Sequence, residues 1–334
     1  MKYIKGLIVE NNIELNLVDI GCSGGLDPKW EEILGDVNYF GFDPNEAECE
    51  RLASLPSHYK RANFLAYAVS GSNGPATLYK TRSIYCYSLL KPDMDILGRF
   101  SFADLFDLEG VENLSTITLD DCKELSDVHI DIIKIDAQGL EKAILEGGKS
   151  TVEQALYVET ESGFTPNYIG ESTQADVDIY MREQGFLLFD MLIYRMPYRN
   201  KFADLEERKS QLLWSENVWL KDLIATYSNI KRSLTEADRL IFLKMIVLCA
   251  VLGTYDYGLA IAELGNKLGL VKEEELAKLT DVKNWQLLDD THNTNSAENS
   301  KLLNWTLRLL PLNLRKKIQN EISIAVNQKH LLRF

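Results

Sequence analysis

The segment that most restricts the fold is a glycine-rich turn held between two apolar runs. The run LVDI (17–20) leads into GCSGG (21–25), and YFGFD (39–43) follows after PKWEEIL (28–34), which reads as a helix. Strand, turn, helix and strand in that order make a βαβ unit. Gly21, Gly24 and Gly25 let the backbone turn tightly and come close to a ligand. The amides that open a following helix favour a negative group such as a carboxylate. Asp43 closes the second run, where an acid can accept both hydroxyls of a ribose. A nucleoside-containing ligand is expected; the bland alternative is a tight turn that binds nothing.

The chain continues to alternate up to residue 190. Pro44 and the acids Glu46, Glu48 and Glu50 mark the early turns of a helix over 45–55, where the helix dipole favours negative charge. Strands are predicted at 64–69, 76–80, 115–119, 130–136, 155–160 and 185–190, and helices at 120–125, 140–146 and 175–184. The run 130–136 is rich in Ile, as suits a strand buried on both faces. Residues 81–113 read as an irregular excursion with helical pieces, long enough to cover a site. The whole is the pattern of a doubly wound α/β sheet.

Beyond residue 220 the character changes. Residues 234–279 read as helical with a break at 253–258, and the apolar stretch 240–253 is interrupted by Lys244. It falls short of the roughly 20 residues a membrane span requires and is predicted to be a buried helix. Residues 289–300 are polar and turn-rich, and 301–334 form a last helical piece with Arg308, Arg315, Lys316, Lys317, Lys329 and Arg333. The chain thus divides into an α/β domain (1–220), a helical extension (221–288), a polar linker (289–300) and a basic C-terminal helix (301–334). The extension is expected to pack or to make a homo-oligomer. The basic tail is either a solvated helix or a contact to a membrane surface or an anionic lipid-linked glycan.

A formal charge of −14, from 36 Lys+Arg against 50 Asp+Glu, argues against nucleic acid as a partner and favours a neutral or small one. Five cysteines stand singly, with no CxxC and no His at metal spacing. Neither a disulfide framework nor a zinc site is expected, and reduced thiols suit a cytoplasmic location. The N-terminus has no signal-peptide pattern.

The glycine turn gains meaning from its neighbours. It runs D-x-G-x-x-G-G, unlike the G-x-G-x-x-G of nicotinamide enzymes. In order along the chain, VDIGCSGGL (18–26), GFDPN (41–45), AVSG (68–71), SLLKP (88–92), TLDD (118–121), DIIKIDAQGLE (131–141) and GFLLFD (185–190) resemble FkbM-type methyltransferases. The resemblance covers residues 17–220, with 133–141 its most distinctive part. It implies a class I methyltransferase fold, a doubly wound sheet of about seven strands ordered 3-2-1-4-5-7-6, here followed by an all-α extension. It implies S-adenosyl-L-methionine as cofactor and a hydroxyl of a sugar, glycan or other small molecule as acceptor. Asp19, Gly21, Cys22, Ser23, Gly24, Gly25 and Leu26 would hold the methionine part and Asp43 the ribose. Pro44, Asn45, Ala68 and Val69 would surround the adenine, and Asp136 would lie near the transferring methyl. Gln138 stands where many members have Glu, and Cys22 and Ser23 replace a commoner Ala-Asn pair; a Gln cannot act as a base.

A sulfonium methyl is already electrophilic, so positioning, worth several kcal/mol, is the main demand on the protein. An alcohol must also lose its proton. Asp136, Glu159 and Glu161 are the candidate general bases, each readable equally as a structural carboxylate. The same three could offer oxygen ligands to a divalent metal, which the sequence does not require. Lys134, among the Ile residues, is expected in a structural ion pair. Tyr85, Tyr87, Tyr168 and Trp214 could stack on a sugar or fill the core. Two other readings stand beside this one. A non-catalytic protein that keeps the fold is motivated by Gln138 and the helical extension, and a nicotinamide-dependent oxidoreductase by the glycine turn.

Overall fold

The computed structural model describes residues 3–24, 28–203 and 209–287. Gly25 and Leu26, the linker 289–300 and the basic tail 301–334, with its expected membrane contact, lie outside the described residues.

Helix α1 (Tyr3–Glu10) precedes β1 (Leu15–Ile20), and β2 (Val37–Phe42) follows. Between the two strands the expected α-helix at 28–34 is instead a 3₁₀ stretch, Pro28–Asp36. Trp30 and Ile33, three residues apart, are both buried, and side chains at that spacing eclipse on a three-residue turn. Helix α2 (Glu46–Ala53) opens on Asn45, whose side chain accepts from the Glu48 amide at 3.3 Å. The strand expected over 64–69 is two strands: β3 (Arg61–Leu65) pairs with β2, whereas β4 (Ala68–Val69) pairs with a later strand.

The excursion is more regular than its sequence suggests. Its middle carries α3 (Met94–Leu97) and its end enters β6 (Leu108–Ile117), which runs antiparallel to β5 (Gly74–Thr81) and has β4 on its other edge. Most of β6 is exposed or half-buried, so the alternation that announces a strand is missing. The helix expected at 120–125 is a 3₁₀ turn, Lys123–Leu125.

The chain continues through β7 (Ile132–Ile135), α4 (Glu141–Gly147), α5 (Lys149–Gln154), β8 (Tyr157–Gly163), α6 (Gln174–Glu183), β9 (Phe186–Met196) and β10 (Gln211–Lys221). Among the described residues, seven strands lie in the order β3-β2-β1-β7-β8-β10-β9, parallel except that β10 runs against both neighbours. Counted within the sheet this is 3-2-1-4-5-7-6, the class I methyltransferase arrangement. β10 carries no alternation because both of its faces are covered, with none of its residues exposed.

Each face of the sheet has its own cover. Val18, Ile20, Ile133, Ile135 and Val158 pack with Ile144 and Leu145 of α4 and Val177 and Met181 of α6. On the other face Leu15, Leu17, Ile132, Tyr157 and Leu220 share one core with the C-terminal helices α7 (Leu223–Tyr227), α8 (Glu236–Leu252), α9 (Tyr255–Lys267) and α10 (Glu273–Leu279). The β1–β2 connection adds Trp30 and Ile33 to that core, and α8, apolar nearly all round, fills much of the rest. Lys244 is the polar break in α8. Its ammonium reaches both oxygens of the fully buried Asp131 at 2.7 and 2.8 Å, tying α8 to the start of β7. No helix among the described residues is long and apolar enough to cross a membrane.

Candidate active site

The parallel register places Asp19 of β1 beside Lys134 of β7, and Lys134 beside Glu159 of β8, in one row on the face covered by the C-terminal helices. Lys134 donates to Asp19 at 2.8 Å, and Tyr39 donates to the other Asp19 oxygen at 2.7 Å. Burial alone would lower the Lys134 pKa, but the charges of Asp19, Asp136 and Glu159 outweigh it and hold the ammonium protonated. Lys134 therefore sits in the structural ion pair expected of it. Glu159 meets Lys29 at 2.7 Å and the Tyr157 hydroxyl. Burial would raise its carboxyl, yet Lys29 and these hydrogen bonds bring it down to about 2. This row is compensated charge.

The registers end at Ile20–Ile135 and Ile135–Thr160, and continuing them by one residue aligns Gly21, Asp136 and Glu161 as a second row, with Glu216 of β10 opposite Glu161. Gly21 takes φ +81°, and a Cβ there would sit 2.1 Å from the Asp136 carbonyl oxygen, so only glycine permits the two strand ends to approach. Asp136 donates its amide to Ile20 O at 2.9 Å. One of its carboxylate oxygens accepts from Gln138 Nε2 at 2.8 Å. Gln138 itself takes φ +51°, a left-handed conformation that costs a side-chain-bearing residue about 1 kcal/mol or more.

Glu161 is half-buried, and its carboxyl is pushed well above the ordinary range. Burial is the largest cause, followed by the charges of Asp136, Glu216, Glu141 and Glu171. Tyr194 donates to Glu216 at 2.7 Å. Glu141 is fully buried, accepts from the Ala137 and Gly139 amides at 3.1 and 3.2 Å, and is raised by burial to about 8. Glu171 accepts from the Asn167 and Tyr168 amides and is raised by burial to about 7. Its carboxylate closes over Gly163, where a Cβ would lie 2.4 Å from Oε1.

On the β2 side, Ser23 donates to one Asp43 oxygen at 2.5 Å and the Asn45 amide to the other at 2.8 Å. Burial raises the Asp43 carboxyl and these two bonds partly offset it. Asp43 remains half-buried at the strand end, and a carboxylate with about four lone-pair positions keeps room for a diol. Gly21, Cys22, Ser23 and Gly24 run past it, Cys22 buried with its thiol raised by burial. Pro44 and Asn45 are exposed beside Asp43, whereas Ala68 and Val69 are buried in β4.

The fold thus brings the glycine turn, Asp43, Asp136 and Glu161 to one edge, the carboxyl ends of β1, β2, β7 and β8. It separates Glu159, one row deeper and ion-paired, from Glu161. Tyr168 and Trp214 are buried in the packing beneath the excursion, and Tyr85 and Tyr87 are half-buried. Lys29, Glu171 and Glu216 were not legible as site residues, because their place depends on pairings that the local sequence does not carry. Among the described residues, no group of three or more His, Cys, Asp or Glu side chains is placed to hold a metal ion. A cavity of about 310 Å³ lined by Asp120, Cys122, His129 and Ser150 lies at the opposite end of β7, away from these residues.

Comparison with known proteins gives the chain its relatives. The family described as Methyltransferase FkbM domain matches residues 29–188, starting after the glycine turn. The 2-O-methyltransferase NoeI of Sinorhizobium fredii is 23% identical over 163 residues, 46% of this chain and 66% of that protein, just under two thirds of its length. Two solved structures align at low similarity. Magnesium protoporphyrin IX methyltransferase from Synechocystis with bound SAM gives a TM-score of 0.32 at 11% identity, covering 66% of this chain and 76% of that one. M. capricolum TrmK in complex with S-adenosyl-homocysteine gives 0.30 at 8% identity, covering 84% and 93%.

Proposed function

We propose, from the premise that the chain carries a methyltransferase FkbM domain across residues 29–188, that it transfers a methyl group from S-adenosyl-L-methionine to a hydroxyl of a sugar or glycan. The observation that carries this reading is the row Gly21–Asp136–Glu161 at the strand ends, beside Asp43. A ligand bearing an ammonium and a sulfonium suits an edge lined with carboxylates. A nicotinamide dinucleotide suits it less. Its pyrophosphate needs the N-terminus of an α-helix after the glycine turn, and the described part of that connection is 3₁₀. The same carboxylates favour a neutral acceptor over an anionic one. The match to a 2-O-methyltransferase supports oxygen as the receiving atom.

When bound, the cofactor supplies an electrophilic methyl on sulfur. The chain's own work is to hold the acceptor oxygen in line with it and to take the hydroxyl proton as the new C–O bond forms and the C–S bond breaks. Glu161 is the group for that proton. It lies at the edge, and its raised carboxyl makes it a stronger base than an ordinary carboxylate once ionised. Glu159 is held by Lys29 and Tyr157 and serves as structure. Ser23 and the Asn45 amide orient Asp43 toward the ribose.

Calorimetry with S-adenosylhomocysteine tests the reading. The wild-type chain should bind, and Asp43→Ala should weaken binding about 10- to 100-fold through the loss of charged hydrogen bonds. A wild-type chain that fails to bind ends the proposal. Transfer of labelled methyl from the cofactor into a glycan extract, with the label recovered as an ether, tests the acceptor class.

A further inference from the structure

Gln138 joins three parts of the molecule. Its Nε2 donates to Asp136 Oδ1 at 2.8 Å. Its Oε1 lies 3.0 Å from the Tyr168 hydroxyl, which also lies 3.0 Å from the Cys86 carbonyl. Its backbone carbonyl accepts from Ser88 Oγ at 2.7 Å, and that hydroxyl in turn accepts from the Leu90 amide at 2.9 Å. Cys86 and Ser88 belong to the excursion and Tyr168 to the segment after β8. With its oxygen facing a hydroxyl donor and its nitrogen facing a carboxylate, the amide has one sensible orientation. Its φ of +51° is one that glycine adopts without cost. A residue with a long polar side chain stands there instead, and both the nitrogen and the oxygen of its amide have a partner.

We propose that Gln138 is a positioning residue: it holds Asp136 by one carboxylate oxygen and leaves the other to the cofactor, and it ties that aim to the excursion through Tyr168 and Ser88. Asp136 Oδ2 has no hydrogen bond among the described residues, while Oδ1 is occupied. A glutamate in place of Gln138 would set two carboxyls against each other at this distance. A glutamine supplies the donor at every pH. Gln138 is thus an orienting amide rather than a lost base. The proposal rests on the methyltransferase reading, since it gives Asp136 a cofactor to meet.

A double-mutant cycle on the full chain tests it, read by calorimetry with S-adenosylhomocysteine so that no acceptor is needed. Gln138→Leu is expected to weaken binding about tenfold in the wild-type background. In the Asp136→Asn background its effect should shrink to about twofold or less. Equal losses in both backgrounds, or no loss in either, overturn the proposal. Gln138→Glu is the conservative control. At about pH 5.5 the introduced carboxyl, sharing a proton with its neighbour, can still donate, and binding should return to near the wild-type value; by about pH 8 the two repel and binding falls. A loss that does not change with pH counts against it. Should Gln138→Leu fail to fold, Tyr168→Phe removes the hydroxyl that pins the amide, and its loss of about threefold should likewise vanish with Asp136→Asn. A wild-type chain that does not bind the probe defeats the methyltransferase reading itself, a result distinct from additive losses in a chain that binds.

Discussion

The two ends of the central strands treat buried carboxylates in opposite ways. At the amino end of β7, Asp131 meets Lys244 at 2.7 Å, and among the helices that cover the same face Glu275 meets Arg239 at 2.6 Å. One row below the carboxyl ends, Asp19 and Glu159 likewise have Lys134 and Lys29. At the carboxyl ends themselves the rule is reversed. The principal charges acting on Glu161 are those of Asp136, Glu216, Glu141 and Glu171, all carboxylates. Removing two charges from water is tolerated when they compensate each other, and crowding like charges raises the pKa of one of them. The first arrangement holds the sheet and its helices together. The second keeps a carboxyl raised by burial and by its acidic neighbours at the strand edge, the group proposed above to take the acceptor's proton.

Glu161→Gln should give the largest effect that divides the two regions. Methyl transfer should fall about 10²- to 10⁴-fold with S-adenosylhomocysteine affinity changed little, because general-base catalysis is lost while the cofactor contacts stay. Since the folded-state pKa of Glu161 is raised, its contribution to stability is complete below the unfolded-state value and lost as pH rises through the folded one. The same variant should therefore melt higher than wild type at about pH 8, by a few degrees. A variant that keeps its rate, or melts lower there, would break the distinction.

Lys244→Met should act in the other sense. It strands the Asp131 carboxylate in the core and should cost about 3–5 kcal/mol in urea unfolding. A loss under about 1 kcal/mol would mean that the pair is dispensable and that the compensated end is no different from a surface.

The smallest effect expected is the pH dependence of the wild-type melting temperature. Glu159, lowered to about 2, stabilises above the ordinary carboxylate value, and that stability is lost as pH falls toward the folded value. Glu171 and Glu141, raised to about 7 and about 8, stabilise below the ordinary value and lose that stability as pH rises through those values. On these groups melting should peak near the ordinary carboxylate value, at about pH 4 to 5, and decline on both sides, the alkaline decline continuing to about pH 8. Glu171→Gln should flatten only the alkaline decline, as thermal unfolding across the range would read directly.

Much of the fold is legible where local chemistry and tertiary role agree. The Ile-rich run before Asp136, the glycine turn and the acids opening α2 each announce their element. Legibility fails where an element owes its form to a distant partner. β10 is covered on both faces and shows no alternation, β6 is largely exposed, and the 3₁₀ stretch at Pro28–Asp36 resembles a helix until Trp30 and Ile33 find the same core. The candidate site divides in the same manner. Asp43 and Asp136 are announced by the ends of their own strands. Glu159 and Glu161, two residues apart on one strand and alike in sequence, are not distinguished until Lys29 is seen to reach one and not the other.

What the sequence determined by itself is the carboxyl edge. A glycine-rich turn directly after an apolar run, and acids placed at the ends of such runs, are local facts of backbone sterics and strand period. What only the tertiary structure decided is which charges are compensated. Ion pairing is set by registers and packings between residues far apart in the chain, such as Lys29 with Glu159 and Lys244 with Asp131. The free energy of a buried charge depends on those neighbours far more than on the residue's own identity.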